Sequence, residues 1–177
     1  MKIGITRDIN QLAELEPLAI QRKIELLSVP VIKIEPIDFE FSFEDNPDWI
    51  LFTSANAVSI FFQYLKKNNQ TLPPQTKIAS IGKKTSNRIK TFGYSVSFEA
   101  RKSYGDIFFK EFIEKIETEP LRIIFLRGEK INFEPNYLFE NHNFQSIICY
   151  RTVEVDIDKS QIDKLTKDDY LLFTAEG

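Results

Sequence analysis

Soft ligands are almost missing from this chain: Cys149 is its one cysteine and His142 its one histidine. A disulfide needs two cysteines and a Cys/His zinc site needs several ligands, so arithmetic excludes both. A reducing cytosol fits that usage. Long apolar runs are missing too. None approaches the ~18 residues of a membrane span, and Arg7 and Asp8 stand where a signal peptide would carry its apolar stretch. The expectation is a soluble, cytoplasmic protein. No basic or acidic tail is present, and a net charge of −3 with a pI near 5.4 argues against a general nucleic-acid binder. Neither GxGxxG nor GxSxG occurs, which leaves dinucleotide binding and a hydrolase elbow without support. The stretch Ser80 to Ser86 misses a phosphate-binding loop at two positions: Lys77 stands where the first glycine belongs, and Lys84 where Ser or Thr should follow the lysine.

What is present suffices for a packed core. The 177 residues are 42% hydrophobic and 13% aromatic, an ordinary globular composition for one domain or slightly more. Asp48 to Val58 reads DWILFTSANAV, and DDYLLFTAEG runs to Gly177. Both copies read acid, aromatic, three apolar residues, threonine and a small residue, so one structural unit recurs after 121 positions, Thr53 to Thr174. Short apolar runs alternate with segments of helical period. Ile3 to Ile5, Ser28 to Glu35, Trp49 to Thr53, Lys77 to Ile81, Val96 to Phe98, Arg122 to Leu126 and Gln145 to Val155 read as extended. Pro30 and Pro36 limit the second run. Ala57, Val58, Phe61, Phe62 and Leu65 make one helical stripe. Further helices are expected over Lys84 to Phe92, closed by Gly93, and over Tyr104 to Ile116. Pro17 starts or kinks the first one. Phe39, Phe41 and Phe43 alternate with polar residues, as in an edge strand or a loop folded on the surface. His142 reads as an exposed turn residue, and Cys149 as a packing residue in an apolar strand.

This rhythm predicts βαβ units with a mostly parallel sheet covered on both faces, whose ligands bind at the C-terminal strand ends. Four pairs sit there: Thr6 and Arg7, Thr53 and Ser54, Gly82 and Lys83, Arg127 and Gly128. Thr53 and Ser54 either cap the next helix or bind a ligand, and the two roles are compatible, because free N–H groups at a helix start attract anions. The runs Val31 to Pro36 and Cys149 to Val155 each precede one copy of the repeat. Paired, they would bridge two domains: a discontinuous one of residues 1–30 and 156–177, and an inserted one of residues 37–148.

DWILFTSANAV, KIASIGKKTSNRIKTFGY, RIIFLRGE, IICYRTVEV and DDYLLFTAEG, together with the opening ITRD and the VPVIKIEPI segment, resemble the uroporphyrinogen-III synthase family in the right order along the whole chain. The resemblance implies two flavodoxin-like parallel-sheet α/β/α domains joined by a two-stranded β-ladder, the first domain incomplete here because family members continue past this chain's end. A truncated relative of this kind is expected to be inactive.

The implied activity is a cofactor-independent lyase of porphyrin and haem biosynthesis, a monomer in transient contact with the preceding pathway enzyme. Hydroxymethylbilane loses its terminal hydroxyl and closes to uroporphyrinogen III with ring D inverted, through an azafulvene and a spiro intermediate. Such an enzyme must fold the substrate and exclude unassisted closure to the non-inverted isomer. The resemblance points to Thr6, Arg7, Thr53, Ser54, Ala55, Asn56, Gly82, Lys83, Thr85, Arg127, Gly128 and Thr174 as substrate contacts. Tyr150 is implied as the acid beside the leaving hydroxyl; its alternative is packing across the ladder. Arg127 either meets a carboxylate or pairs with Glu129, and one of Lys83 and Lys84 faces the site. Asn56 stands where relatives often carry a basic residue, and Glu176 stands near the second copy's anion site. The competing expectation is a non-catalytic α/β binding module of the flavodoxin or receiver type. The first strand end has neither the clustered aspartates nor the Ser/Thr-rich loop these need.

Overall fold

The computed structural model describes residues 1–7, 12–42, 46–116 and 118–173. The chain divides into two compact units, Met1–Glu35 with Thr152–Gly177 and Pro36–Arg151. In chain order the elements are β1 (Lys2–Ile5), α1 (Glu16–Gln21), β2 (Glu25–Ser28), β3 (Ile32–Pro36), β4 (Trp49–Phe52), α2 (Ala55–Lys67), β5 (Lys77–Ser80) and α3 (Lys83–Thr91). There follow β6 (Phe98–Glu99), α4 (Gly105–Ile113), β7 (Arg122–Gly128), a 3₁₀ turn (Asn136–Phe139), β8 (Asn143–Glu154), α5 (Lys159–Ile162) and β9 (Tyr170–Leu172).

The larger unit is built on β4. Its residues Ile50, Leu51 and Phe52 are fully buried, because both sheet faces are covered. Phe52 and Ile50 face a cluster with Ala57, Val58, Phe61, Phe62 and Leu65 of α2 and Ile89 of α3. Leu51 faces the other cluster, with Phe108, Phe109 and Phe112 of α4 and Phe139. The same alternation splits Ile124 and Leu126 from Ile123 and Phe125 along β7, giving an α/β/α sandwich. The sheet runs β3-β8-β7-β4-β5-β6, with β8, β7, β4, β5 and β6 parallel. At its margin β3 is antiparallel to β8, as the descending pairs Val31–Val155 and Ile37–Cys149 show. Helix α2 ends in a Schellman turn: Asn69 takes φ 53, its N–H reaches Lys66 O, and Gln70 N reaches Leu65 O. Helix α3 ends at Gly93 with φ 85, as its sequence predicts.

The smaller unit holds a parallel sheet ordered β2-β1-β9. The sequence repeat extends into its hydrogen bonding. In one copy Trp49, Ile50 and Leu51 lie opposite Ile123, Ile124 and Phe125; in the other Tyr170, Leu171 and Leu172 lie opposite Ile3, Gly4 and Ile5. The leading aspartate of each copy does the same work. Asp48 Oδ2 accepts the main-chain N–H of Arg122 at 2.8 Å, and Asp169 Oδ1 accepts that of Lys2 at 2.5 Å, each fastening the start of the neighbouring strand.

Several expectations are corrected. The run from Ser28 to Glu35 is two strands, β2 ending at Ser28 and β3 beginning at Ile32, with Pro30 in the break, where a missing N–H costs no ladder bond. β6 is Phe98–Glu99 in place of Val96 to Phe98, and α4 is shorter at both ends than Tyr104 to Ile116. Phe41 is buried, edge-on to Phe61 at 4.9 Å, so its loop is folded over α2 as a piece of core. Phe43 lies outside the described residues. His142 is half-buried against Phe139, its Nδ1 accepting the N–H of Leu121 at 3.2 Å.

Candidate active site

The strand order fixes where a ligand can enter the larger unit. Counted along the chain from β4, its parallel strands read 3-2-1-4-5 across the sheet, so the connections leave β4 and β7 in opposite directions. The crevice outside the C-terminal ends of β4 and β7 is therefore the topological switch point, where open parallel sheets bind ligands.

Ser54 stands at the end of β4. It is extended, with φ −147 and ψ 136, and caps α2: its Oγ accepts the N–H of Asn56 at 3.1 Å. Serine suits this position because its short side chain satisfies a main-chain donor that the first turn leaves open. Thr53, Ala55 and Asn56 around it are half-buried.

Tyr150 reaches Ser54 because of a fault in the ladder. Arg127 pairs with Ile148, but Gly128 pairs with Tyr150, so β8 carries one extra residue opposite β7. Ile147 and Cys149 face α2, and strict alternation would turn Tyr150 to the other side of the sheet. The bulge returns it to the α2 side, where its hydroxyl donates to Ser54 Oγ at 3.0 Å. Gly128 makes room for the ring. A Cβ there would lie 2.7 Å from the Tyr150 Cζ and 3.0 Å from its hydroxyl oxygen.

Arg127 braces this corner. Its Nε donates to Ser146 Oγ at 2.6 Å, and its Nη1 donates to the main-chain oxygens of Gly128 and Glu129, each at 3.1 Å. The anticipated ion pair with Glu129 is thus replaced by a bond to that residue's carbonyl. Cys149 is buried, its Sγ 3.5 Å from Arg127 O, and burial pushes its thiol up to about 12, so it packs as a small apolar group.

One strand over, Gly82 precedes α3, whose first turn has no side-chain cap. Gly82 is packed so closely on Ser103 that a Cβ there would clash with its Oγ. Lys83 and Lys84 are both exposed, whereas Thr85 and Ser86 point inward. Ser86 bonds Ser80 Oγ at 2.6 Å and the Glu99 carboxylate, a buried hydroxyl chain beneath the turn.

A profile of the family described as Uroporphyrinogen-III synthase HemD matches residues 13–177. The chain belongs to the uroporphyrinogen-III synthase family. Among solved structures it is similar to the uroporphyrinogen-III synthetase of Helicobacter pylori 26695, at 17% identity and TM-score 0.59, covering 98% of this chain and 73% of that one. A methionine-substituted uroporphyrinogen III synthase from Thermus thermophilus matches at 15% identity and TM-score 0.56, covering 88% of this chain and 64% of that one. The wild-type Thermus enzyme matches at 15% and 0.50, over 88% and 63%. At these identities the likeness speaks for the fold, and the chain spans less than two thirds of the Thermus proteins.

Set against this family's expected contacts, the structure brings Ser54, Gly128 and Tyr150 together, with Asn56 contributing its N–H and Arg127 holding the corner. Gly82, Lys83 and Thr85 lie at the end of the adjacent β5. Thr6 and Arg7 belong to the smaller unit, where Thr6 is buried with its N–H on Leu172 O and the Arg7 carbonyl accepts from Ser28 Oγ at 2.8 Å. Thr174 and Glu176 lie outside the described residues. Sequence reasoning missed Ser146 and Ser103. Each is an ordinary polar residue, and only the register of β8 or the approach of the Gly82 turn gives it a role. No helix among the described residues is long and apolar enough to cross a membrane.

Proposed function

We propose that this chain carries the uroporphyrinogen-III synthase reaction, closing hydroxymethylbilane to uroporphyrinogen III with inversion of ring D and loss of water. The observation that carries the reading is the Tyr150–Ser54 hydrogen bond over Gly128 at the β4/β7 switch point, in a chain matched to this family over nearly its whole length. A hydroxyl pair fits this chemistry. The departing hydroxide needs a donor, while the carbon skeleton rearranges through the azafulvene and spiro stages when held in the right fold, with no metal or redox group required by the bond changes.

The substrate's acetate and propionate arms are carboxylates. Main-chain N–H groups at the uncapped start of α3, with Lys83 and the Gly82 turn, supply positive potential for one of them. Thr53 to Asn56 at the start of α2, Arg127 and Gly128 supply a second contact region. Thr6, Arg7 and Thr174 are proposed as contacts from the discontinuous domain. We read the larger unit as flavodoxin-like in layering alone, a parallel sheet covered by helices on both faces, since its strands run 3-2-1-4-5 in place of the flavodoxin order 2-1-3-4-5. We read the protein as a cytoplasmic, cofactor-independent monomer that takes its substrate from the preceding pathway enzyme.

The test is an assay of hydroxymethylbilane consumption by the 177-residue chain, scoring isomer III against isomer I. Isomer III above the spontaneous background supports the reading. Consumption no faster than without protein, with isomer I alone, overturns it for this chain and favours a binding module or an inactive relative.

A further inference from the structure

Resting on the synthase reading, the geometry points to Ser54, and not Tyr150, as the residue that hands a proton to the departing hydroxyl, with Tyr150 acting through it. A serine oxygen accepts two hydrogen bonds and donates one. Both acceptor positions of Ser54 Oγ are taken, by the Asn56 N–H at 3.1 Å and by the Tyr150 hydroxyl at 3.0 Å. Its own proton is what it has left to offer, and among the described residues no acceptor receives it. Tyr150 is placed the opposite way. Its proton is committed to Ser54, and its oxygen lies against the Gly128 backbone, 3.0 Å from where a Cβ would stand.

The two donors that Ser54 accepts both polarise its O–H bond. Asn56 N–H belongs to the first turn of α2, at the positive end of the helix, and hydrogen bonds in a chain strengthen one another. The step balances as follows. The substrate C–O bond breaks with its electron pair staying on oxygen, the Ser54 proton joins that oxygen to give water, and the Tyr150 proton moves to Ser54. The phenolate so formed recovers a proton from the pyrrole carbon that sheds one when the ring closes. Tyr150 is then a positioning and proton-supplying residue one bond removed from the substrate.

The test compares Ser54→Gly, Ser54→Thr, Tyr150→Phe and the double variant Ser54→Gly/Tyr150→Phe in the 177-residue chain. Glycine is chosen because it retains most of the N-cap's stability while lacking the hydroxyl. With hydroxymethylbilane, Ser54→Gly lowers kcat about 100-fold, the lower edge of what positioned proton transfer contributes, with KM nearly unchanged. Tyr150→Phe lowers it about fivefold, the scale of one net hydrogen bond. The double variant is no slower than Ser54→Gly, and Ser54→Thr restores most of the rate. A Tyr150→Phe defect larger than that of Ser54→Gly, or defects that multiply in the double variant, overturns the relay.

A second readout needs no substrate. In protein labelled with ¹³Cζ-tyrosine, the Tyr150 resonance is assigned by its loss in Tyr150→Phe. It moves to lower frequency in Ser54→Gly, because a phenol that loses an acceptor becomes less phenolate-like, and it returns in Ser54→Thr. No movement, or movement to higher frequency, overturns the relay even in a chain that turns over no substrate. Absence of isomer III from the unmodified chain, by contrast, overturns the synthase reading and leaves the direction of this bond to the resonance.

Discussion

Gly128 shows how much one missing methyl can decide. It ends β7 beneath the Tyr150 ring, and a Cβ would come within 2.7 Å of Cζ and 2.9 Å of Cε2, closer than carbon atoms pack. Gly128→Ala must push the ring off its seat and with it the bond to Ser54. Overpacking of this kind costs about 1–3 kcal/mol. Urea unfolding should show that loss in the otherwise unaltered chain and most of it recovered when Tyr150→Ala is already present, since the added methyl then has space. Equal losses in both backgrounds would place the strain elsewhere. Little of this corner was legible in the sequence. Tyr150 was singled out by resemblance and Gly128 by its position after an apolar run. That the two touch depends on the bulge at Cys149, and one extra residue in a ladder leaves no trace in hydrophobic alternation. Arg127 shows the same limit: its neighbour Glu129 suggested an ion pair, while its real partners are Ser146, on a strand that joins β7 only through the tertiary fold, and two carbonyls.

Elements were legible where burial dominates. β4 and α2 follow directly from DWILFTSANAV and the stripe behind it, because a strand buried on both faces leaves a short unbroken apolar run and a helix buried on one face leaves a period of three to four. Boundaries were lost where burial is partial: β2 and β3 merged into one run, since both are extended and only the break at Pro30 separates them. The aspartates that lead the two copies of the repeat were visible as letters and not as fasteners. Asp169 offers a pH test of that role. Its carboxyl is held below the ordinary 3.8, first by the Lys2 main-chain N–H and then by Thr166. A folded-state value below the unfolded one adds stability that is fully present above pH 3.8 and is lost as pH falls through the folded value. Asp169→Asn should therefore flatten the acid limb of the smaller unit's unfolding, followed by hydrogen exchange or circular dichroism below about pH 4. An acid limb of unchanged steepness would show that the fastening is electrostatically idle. The residue is only half-buried and its carboxylate stays close to water, so the effect is small and should shrink further in salt.

At the scale of the molecule, charge is segregated. Of the chain's 23 cations and 26 acids, seven cations and no acid fall between Trp49 and Phe98, so that stretch carries +7 and the remainder −10. The seven are Lys66, Lys67, Lys77, Lys83, Lys84, Arg88 and Lys90; all are exposed, and among the described residues none is in an ion pair. A net-negative protein can in this way present a positive field on the α2 and α3 side, and such fields raise the encounter rate with anions. On the synthase reading, the double change Lys83→Glu with Lys84→Glu should raise KM for hydroxymethylbilane about tenfold at low salt. The gap should narrow as ionic strength shortens the Debye length from roughly 10 Å at 0.1 M. A KM that ignores both the charge reversal and the salt would show that the field plays no part in capture.

The pairing of β3 with β8 carries a consequence for the order in which the protein assembles during synthesis. β1 emerges first and needs β9, yet Lys2 and its partner Asp169 are 167 positions apart. Closing so long a loop at random is slow, because the entropy must be surrendered before any contact rewards it. The segment from Pro36 to Arg151, by contrast, is continuous and contains five parallel strands and their covering helices. Its two ends leave side by side, Ile37 N on Cys149 O at 2.9 Å, so once it has folded it acts on the flanking chain like the tip of a single hairpin. Folded first, it shrinks a loop of more than a hundred residues to a short span. The strand that waits longest, β1, then finds β9 as a near neighbour along the chain.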